Sequence, residues 1–395
     1  MASSGCHPCV DFLNKDELLE TLQRPEYDSV WNSDFKGAKG TDIVLNLVND
    51  GQFSSLYELY NKTSVDKHPS IIVKHIKSLP MDSTLSTVSV TLSYERQVLQ
   101  KLDEFCLNNK SLRMYLHVPD KAFAFLEKFP LQHSLRERLK NKDFSLDLAA
   151  AIVDSLATIH KATHLQYNKT EYLEDLEAQL QTQHCQDIVE QLTFVAPFQK
   201  NNILIEEDHI IEETLKRVNE KPIVSTAVKD MKNVFHFTKE CLIHGNLQLD
   251  SIYFTSSNNA YLTNFEFSHI GPVSYDMACL LVNYITFFYY HLEHFHQPDT
   301  CSRFSQCLIE FMKISGLKYS ELMKLKSDQK FWSEVAGFTG CEIIKRLLEP
   351  FHLKTLQGCQ HARKDMLEVG FRLLYAYKNI SSIDSLLIIA FMLVY

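Results

Sequence analysis

The rhythm of hydrophobic residues changes along this chain, and that change constrains its fold more than any other feature. Between residues 41 and 128 apolar residues fall in short, alternating, β-branched runs: "DIVLNLVNDG", "SSLYELYNK" and "SIIVKHI". Alternation with β-branched content predicts strands. Asp50-Gly51 lies between the first two runs, a strong hairpin signal. "TLSYERQVLQKLDEFCL" then carries apolar residues at helical spacing, and "LRMYLHV" and "AFAFLEKF" read as two further strands. The order predicted is β-β-β-α-β-β. After Pro130 the pattern turns helical, beginning with the long, buried "SLDLAAAIVDSLATIHKATH". Residues 170 to 240 read as helical and charged. "SIYFTSSNNAYLTNFEF" reads as two short strands around a Ser-Asn turn, and helices run from there to the end. The expected class is α+β: a polar leader over 1–40 with one short helix, a small β-rich lobe over 41–128, and a large, mainly helical lobe over 129–395. With only 11 Gly in the chain and no Pro/Gly-rich linker, the boundary is a short hinge near residues 127 to 133.

A chain of 395 residues can bury two cores, and its 45% hydrophobic and 23% charged content is ordinary globular usage, which excludes disorder of the whole chain. The formal net charge of -9, without a long Lys/Arg run, argues against nucleic acid as the main partner. The N-terminal "MASSGCHPCVDF" has no apolar signal region, so the ten Cys read as reduced thiols and the chain as cytoplasmic. Cys6 to Cys9 has C-x-x-C redox or metal spacing, but no strand-helix context surrounds it, and a polar tail is the plainer reading. The C-terminal "SLLIIAFMLVY" is apolar over about ten residues, half of what a membrane span needs. It reads as a terminal helix or strand packed on the core, or as a contact surface for a protein partner.

Several segments follow in the order that phosphoryl transfer requires. "VNDGQFSSLY" is a turn between strands that could lay the backbone around Gly51 over phosphates, although ordinary hairpins look the same. Lys74 in "IIVKHI" sits on a strand, where it could reach nucleotide phosphates or simply face solvent. Glu95 on the next helix could pair with it, or be a solvated helix residue. "CLIHGNLQLDSIYF" has the outline of a catalytic loop, and "NFEF" with "GPVSYDMA" comes after it. In such loops one carboxylate orients or accepts the hydroxyl proton and another holds Mg²⁺. The matching positions here are Asn246 and Asn264. An amide can orient a hydroxyl, but it neither takes a proton at neutral pH nor supplies negative charge to Mg²⁺.

"LIHGNLQLDSI", "TNFEFSHIGPVSYDMACLLVN", "FWSEVAGFTGCEIIKRLLEPFHL" and the closing "ARKDMLEVGFRLLYAYKNISSIDSLL" resemble methylthioribose kinase. That family belongs to the aminoglycoside phosphotransferase and choline kinase branch of the protein-kinase-like fold. It shows a His-Gly-Asp-Leu-His-Thr-Gly-Ser loop, then Asp-Pro-Glu-Phe, then Gly-Pro-x-x-x-Asp. The resemblance covers roughly residues 41 to 386 and is loosest in the β-rich lobe. It implies that Lys74 contacts nucleotide phosphates with Glu95 as partner, and that Glu127 to Phe129 form the adenine-binding hinge. Asn246 stands at the catalytic Asp position and Asn264 at the first metal position, while Glu266 keeps the second metal position. Lys345 and Arg346 match paired basic residues near the sugar substrate. His244 and Asp276 match structural positions, Asp276 bracing the loop. The loop's second His is replaced by Gln248, its Gly by Asp250, and the Pro by Phe265. Asp250, four residues beyond Asn246, is a candidate substitute acid.

These departures gather at the chemistry and spare the scaffold. The expectation is a pseudokinase that binds a nucleotide or small polar metabolite, with ATP and Mg²⁺ use weakened. The alternative is a working kinase that phosphorylates methylthioribose in methionine salvage, or a related alcohol. A scaffold with an empty cleft is the third reading. The resemblance also implies a homodimer.

Overall fold

The computed structural model describes residues 15–25, 35, 39–50, 54–63, 70–77, 88–105, 107, 110–111, 113–118, 122–127, 133–198, 209–294, 298–325, 328–348 and 354–392. Cys6, Cys9, Gly51 and Phe129 lie outside the described residues. The chain divides into two compact units, Met1–Leu131 and Gln132–Tyr395.

The first unit holds a five-stranded antiparallel sheet in the order β1-β2-β3-β5-β4. Its strands are β1 (Ile43–Asp50), β2 (Ser54–Asn61), β3 (Ser70–Ile76), β4 (Met114–His117) and β5 (Phe123–Leu126). Helix α1 (Lys15–Leu22) precedes them, and α2 (Val88–Glu104) joins β3 to β4. The β-β-β-α-β-β order is the one the alternation predicted. Lys74 lies at the middle of the sheet, paired with Leu56 on one side and Ala124 on the other. The sequence expected α1 in a leader apart from the lobe. Instead Leu18, Leu19 and Leu22 pack with Tyr57, Leu59, Val73 and Phe125 in one core. A sheet with an apolar face must cover it, and the amphipathic α1 supplies the cover.

The second unit is mainly helical. It contains α3 (Leu135–Lys140), α4 (Leu146–Thr163), α5 (Thr170–Leu180), α6 (Gln183–Glu190), α7 (His209–Glu220) and α8 (Pro222–Phe237). Two small hairpins follow, β6 (Cys241–Ile243) with β9 (His269–Gly271), and β7 (Ile252–Phe254) with β8 (Ala260–Leu262). The rest is α9 (Val273–His294), α10 (Pro298–Leu322), α11 (Gln329–Leu348), α12 (Gln360–Ala376) and α13 (Ile383–Phe391). Helix α9 is apolar around most of its circumference and buried from Val273 to Tyr289, as a central helix must be. It packs against α10, α11 and α12. Gly340 lets α11 and α12 approach closely, because a Cβ there would stand 2.9 Å from the Gly370 carbonyl oxygen and 2.7 Å from Leu374 Cγ. The apolar C-terminal stretch forms α13, capped by a reciprocal Ser382–Ser385 box and buried through Ile383, Leu386, Leu387 and Ala390. Among the described residues no helix is long and apolar enough to cross a membrane.

Candidate functional site

In the first unit, β3 and α2 bring Lys74 and Glu95 together. Lys74 Nζ lies 2.8 Å from Glu95 Oε2, with side chains 0% and 3% exposed. Polar groups so deeply buried need partners, and each of these two side chains supplies one to the other. The solvent-facing alternative for Lys74 is thereby excluded. Glu127, just after β5, accepts the Arg113 N–H at 2.9 Å. Burial raises its pKa, and that backbone bond partly offsets the rise.

In the second unit, the 244–254 loop is shaped from behind by buried polar groups. Asp276, on the first turn of α9, accepts the His244 N–H at 2.6 Å and the Gly245 N–H at 2.9 Å. His160 Nε2, from α4, donates to the same carboxylate at 3.0 Å, and His160 Nδ1 meets the Tyr319 hydroxyl at 2.6 Å. Burial alone would raise the pKa of Asp276. The His160 hydrogen bond and the loop's donors outweigh it and hold the carboxyl below its usual range. Gly245 has φ +78°, and a Cβ there would fall 2.1 Å from the Phe267 carbonyl oxygen. Only glycine meets both conditions. His244 donates from Nε2 to the Thr263 carbonyl at 2.7 Å, which leaves Nδ1 to accept the Asn246 N–H at 3.3 Å.

The groups at the chemical positions then follow from this frame. Asn246 Oδ1 accepts a hydrogen bond from Gln248 Nε2 at 3.0 Å. Asn264 sits in left-handed conformation, φ 65° and ψ 55°. Its Nδ2 donates to the Asp250 carbonyl at 3.4 Å and to Ser251 Oγ at 3.3 Å. Asp250 is gripped by Arg136, Nε to Oδ1 at 2.8 Å and Nη2 to Oδ2 at 2.8 Å. Glu266 is buried at 4% exposure in the turn Phe265–Phe267. Among the described residues no group of three or more His, Cys, Asp or Glu side chains could hold a metal. Of the predicted metal positions, Glu266 supplies a carboxylate and Asn264 a neutral amide. A Mg²⁺ bound mainly through phosphate oxygens needs one or two protein carboxylates, so the set meets the lower end of that requirement.

Lys345 and Arg346, expected near a sugar, are 3% and 5% exposed. Both face Glu342: Lys345 Nζ–Oε1 is 3.0 Å and Arg346 Nε–Oε2 is 3.4 Å. Burial disfavours the ionised form of Glu342, yet Lys345 and Arg346 bring its pKa down to about 2. Tyr275 Oη also donates to it at 2.6 Å. Arg346 Nη1 donates to Asn283 Oδ1 at 2.7 Å, and Asn283 Nδ2 donates to the Leu247 carbonyl at 3.1 Å. Arg346 thus reaches the loop backbone through one amide.

Reading the sequence missed His160, Arg136 and Asn283. His160 sits on the buried stretch of an apolar helix, a signal that was present, but its partner Asp276 lies 116 residues away. Arg136 is separated from Asp250 by 114 residues, with no local pattern linking them.

A small antiparallel sheet unit followed by a mainly helical unit with such a loop is a protein-kinase-like fold. The choline kinase of Cryptosporidium parvum Iowa II aligns with a TM-score of 0.50 and 14% identity, covering 93% of this chain and 95% of that one. An ethanolamine kinase of Plasmodium vivax aligns at 0.48 and 14%, covering 92% of each. In sequence the chain is similar to methylthioribose kinases. It is 26% identical over 204 residues to the one from Geobacillus thermodenitrificans, a match covering 47% of this chain and 50% of the relative. It is 22% identical over 365 residues to that of Geobacillus sp. strain WCH70, covering 87% and 89%. With the Pectobacterium carotovorum protein it shares 21% over 380 residues, covering 88% and 92%. The first of these matches therefore spans half the relative's length. No family model matches the chain.

Proposed function

We propose that this chain is a methylthioribose-kinase-like protein that retains nucleotide or small-metabolite binding and transfers phosphate poorly. The observation that carries the reading is the pair of amides, Asn246 and Asn264, at positions where phosphoryl transfer calls for acids. Asn246 Oδ1 already accepts from Gln248, which competes with any substrate hydroxyl for that oxygen. Lys74, held by Glu95, would contact nucleotide phosphates, and Glu127 and Phe129 would border the adenine. Lys345 and Arg346 would border the sugar, with Glu342 offsetting part of their charge. Mg²⁺, when present, would be taken by Glu266 together with phosphate oxygens and would neutralise their charge.

A second reading, a working ATP-dependent kinase acting on methylthioribose or a related alcohol, has its own support. The named kinases align across 87% and 88% of this chain, and the buried Lys74–Glu95 pair is complete. Two measurements on the purified protein decide. A thermal shift with millimolar ATP, with and without Mg²⁺, reports binding, since a ligand stabilises by RT ln(1 + [L]/Kd). A coupled ADP-release assay with methylthioribose reports transfer. A thermal shift with turnover far below about 1 s⁻¹ is expected; turnover near about 1 s⁻¹, usual for kinases, would overturn the first reading in favour of the second. No shift with either ligand would leave a scaffold with an empty cleft. Light scattering on the same sample tests the homodimer.

A further inference from the structure

Arg136 reaches the loop from a firmly seated element. Ser134 Oγ caps α3 by accepting the Glu137 N–H, Leu135 and Leu139 are wholly buried, and the Ser134 backbone forms a bridge to Tyr253 on β7. Asp250 comes from the short turn Leu249–Ser251, just beyond Asn246. Guanidinium and carboxylate meet fork to fork, both contacts at 2.8 Å. The third nitrogen, Nη1, donates to Thr355 Oγ1, ahead of α12. Two parallel N–H···O bonds fix the plane of the carboxylate as well as its distance, which a lysine would not do. The side chains are 26% and 24% exposed, so solvent screening limits the energy and the geometry is the larger contribution. The carbonyl of Asp250 is also where Asn264 Nδ2 rests. Arg136 therefore stands behind both the turn and the amide at the metal position.

We propose that Arg136 is a positioning residue of the 244–254 loop, and that by taking both carboxylate oxygens of Asp250 it withdraws that acid from proton or metal handling. Asp250 is thus a structural anion rather than the substitute acid that its sequence position offers. The staple acts in the unliganded protein, whether or not phosphate is transferred.

Hydrogen exchange of the full chain, followed by mass spectrometry over residues 241–254, tests the positioning role. R136Q and D250N should each speed loop exchange about tenfold, and the double variant should match R136Q, because R136Q already removes everything Arg136 gives to Asp250. T355V, which removes only the third arm, should give a smaller increase. Unchanged exchange in both single variants, or effects that add in the double, overturns the positioning role. If R136Q does not fold, D250N, which keeps the side-chain shape, carries that measurement. Withdrawal of the acid is read by Mn²⁺ titration followed by electron paramagnetic resonance. R136Q should bind Mn²⁺ several-fold more tightly, and D250N in that background should cancel the gain. No gain in R136Q, or weakened Mn²⁺ binding in D250N alone, overturns the withdrawal.

Discussion

Asp276→Asn is the substitution whose effect can be worked out most directly. The carboxylate accepts three hydrogen bonds, from His160 Nε2, His244 N and Gly245 N. An asparagine keeps one oxygen and replaces the other with an NH₂ group. Whichever way the amide turns, at least one donor then faces another donor in a site with no exposed surface. Leaving a buried donor unpaired costs about 1–3 kcal/mol, and the remaining bonds lose their charge assistance, worth about another 1 kcal/mol. Relief from burying the charge offsets part of this, so a net cost of about 2 kcal/mol is expected. Concentrated on local opening of the loop, that is about 30-fold faster amide exchange. The assay is hydrogen exchange over residues 241–249, with the peptide covering α12 as internal control. An acceleration below about threefold in the loop, or an equal change in α12, would refute the view that Asp276 organises the loop locally.

Other outcomes follow from the same contacts. The pKa of Glu342 is held at about 2, below the value near 4.3 of an unfolded chain, so its stabilisation is fully present above about pH 4.3 and is lost as pH falls toward 2. Acid unfolding followed by circular dichroism should show a stability slope across that window, flattened in E342Q. Glu240 and Glu334, whose pKa values burial raises, act with opposite sign, favouring the folded state at low pH and losing that contribution as pH rises through their raised values. Lys74→Met removes the ammonium that faces the buried Glu95 and should destabilise the protein by about 3–5 kcal/mol in urea titration, whereas adding Glu95→Leu should recover most of the loss. Asn246→Asp combined with Asn264→Asp should raise ADP release by about 10²-fold or more if the ligand pocket is intact, with no gain showing that the pocket is also changed.

How much of this was legible in the sequence depended on how far apart the interacting residues lie. The strands of the first unit are local patterns of alternation, and β3 and α2 are near neighbours, so Lys74 and Glu95 could be expected as partners. The loop was legible through His244, Gly245 and Asp276, which follow a recognisable motif. Arg136 and His160 were not, because a charged or imidazole side chain on a helix looks the same whether its partner is solvent or a loop more than a hundred residues away. The seating of α1 was hidden for a related reason: an amphipathic helix announces a buried face but not what it buries against. Lys345 and Arg346 show the converse. They stand next to each other in the sequence as a basic pair, and only the packing of α11 reveals Glu342 as the carboxylate that both of them face.

Position 264 lies at φ 65° and ψ 55°, a corner of conformational space that asparagine and aspartate enter with similar ease. The main chain is therefore indifferent to which of the two it carries. The side chain is not indifferent: an aspartate there would turn an oxygen toward the Asp250 carbonyl that Asn264 Nδ2 now reaches, so the amide ties two turns of the loop together where an acid would push them apart.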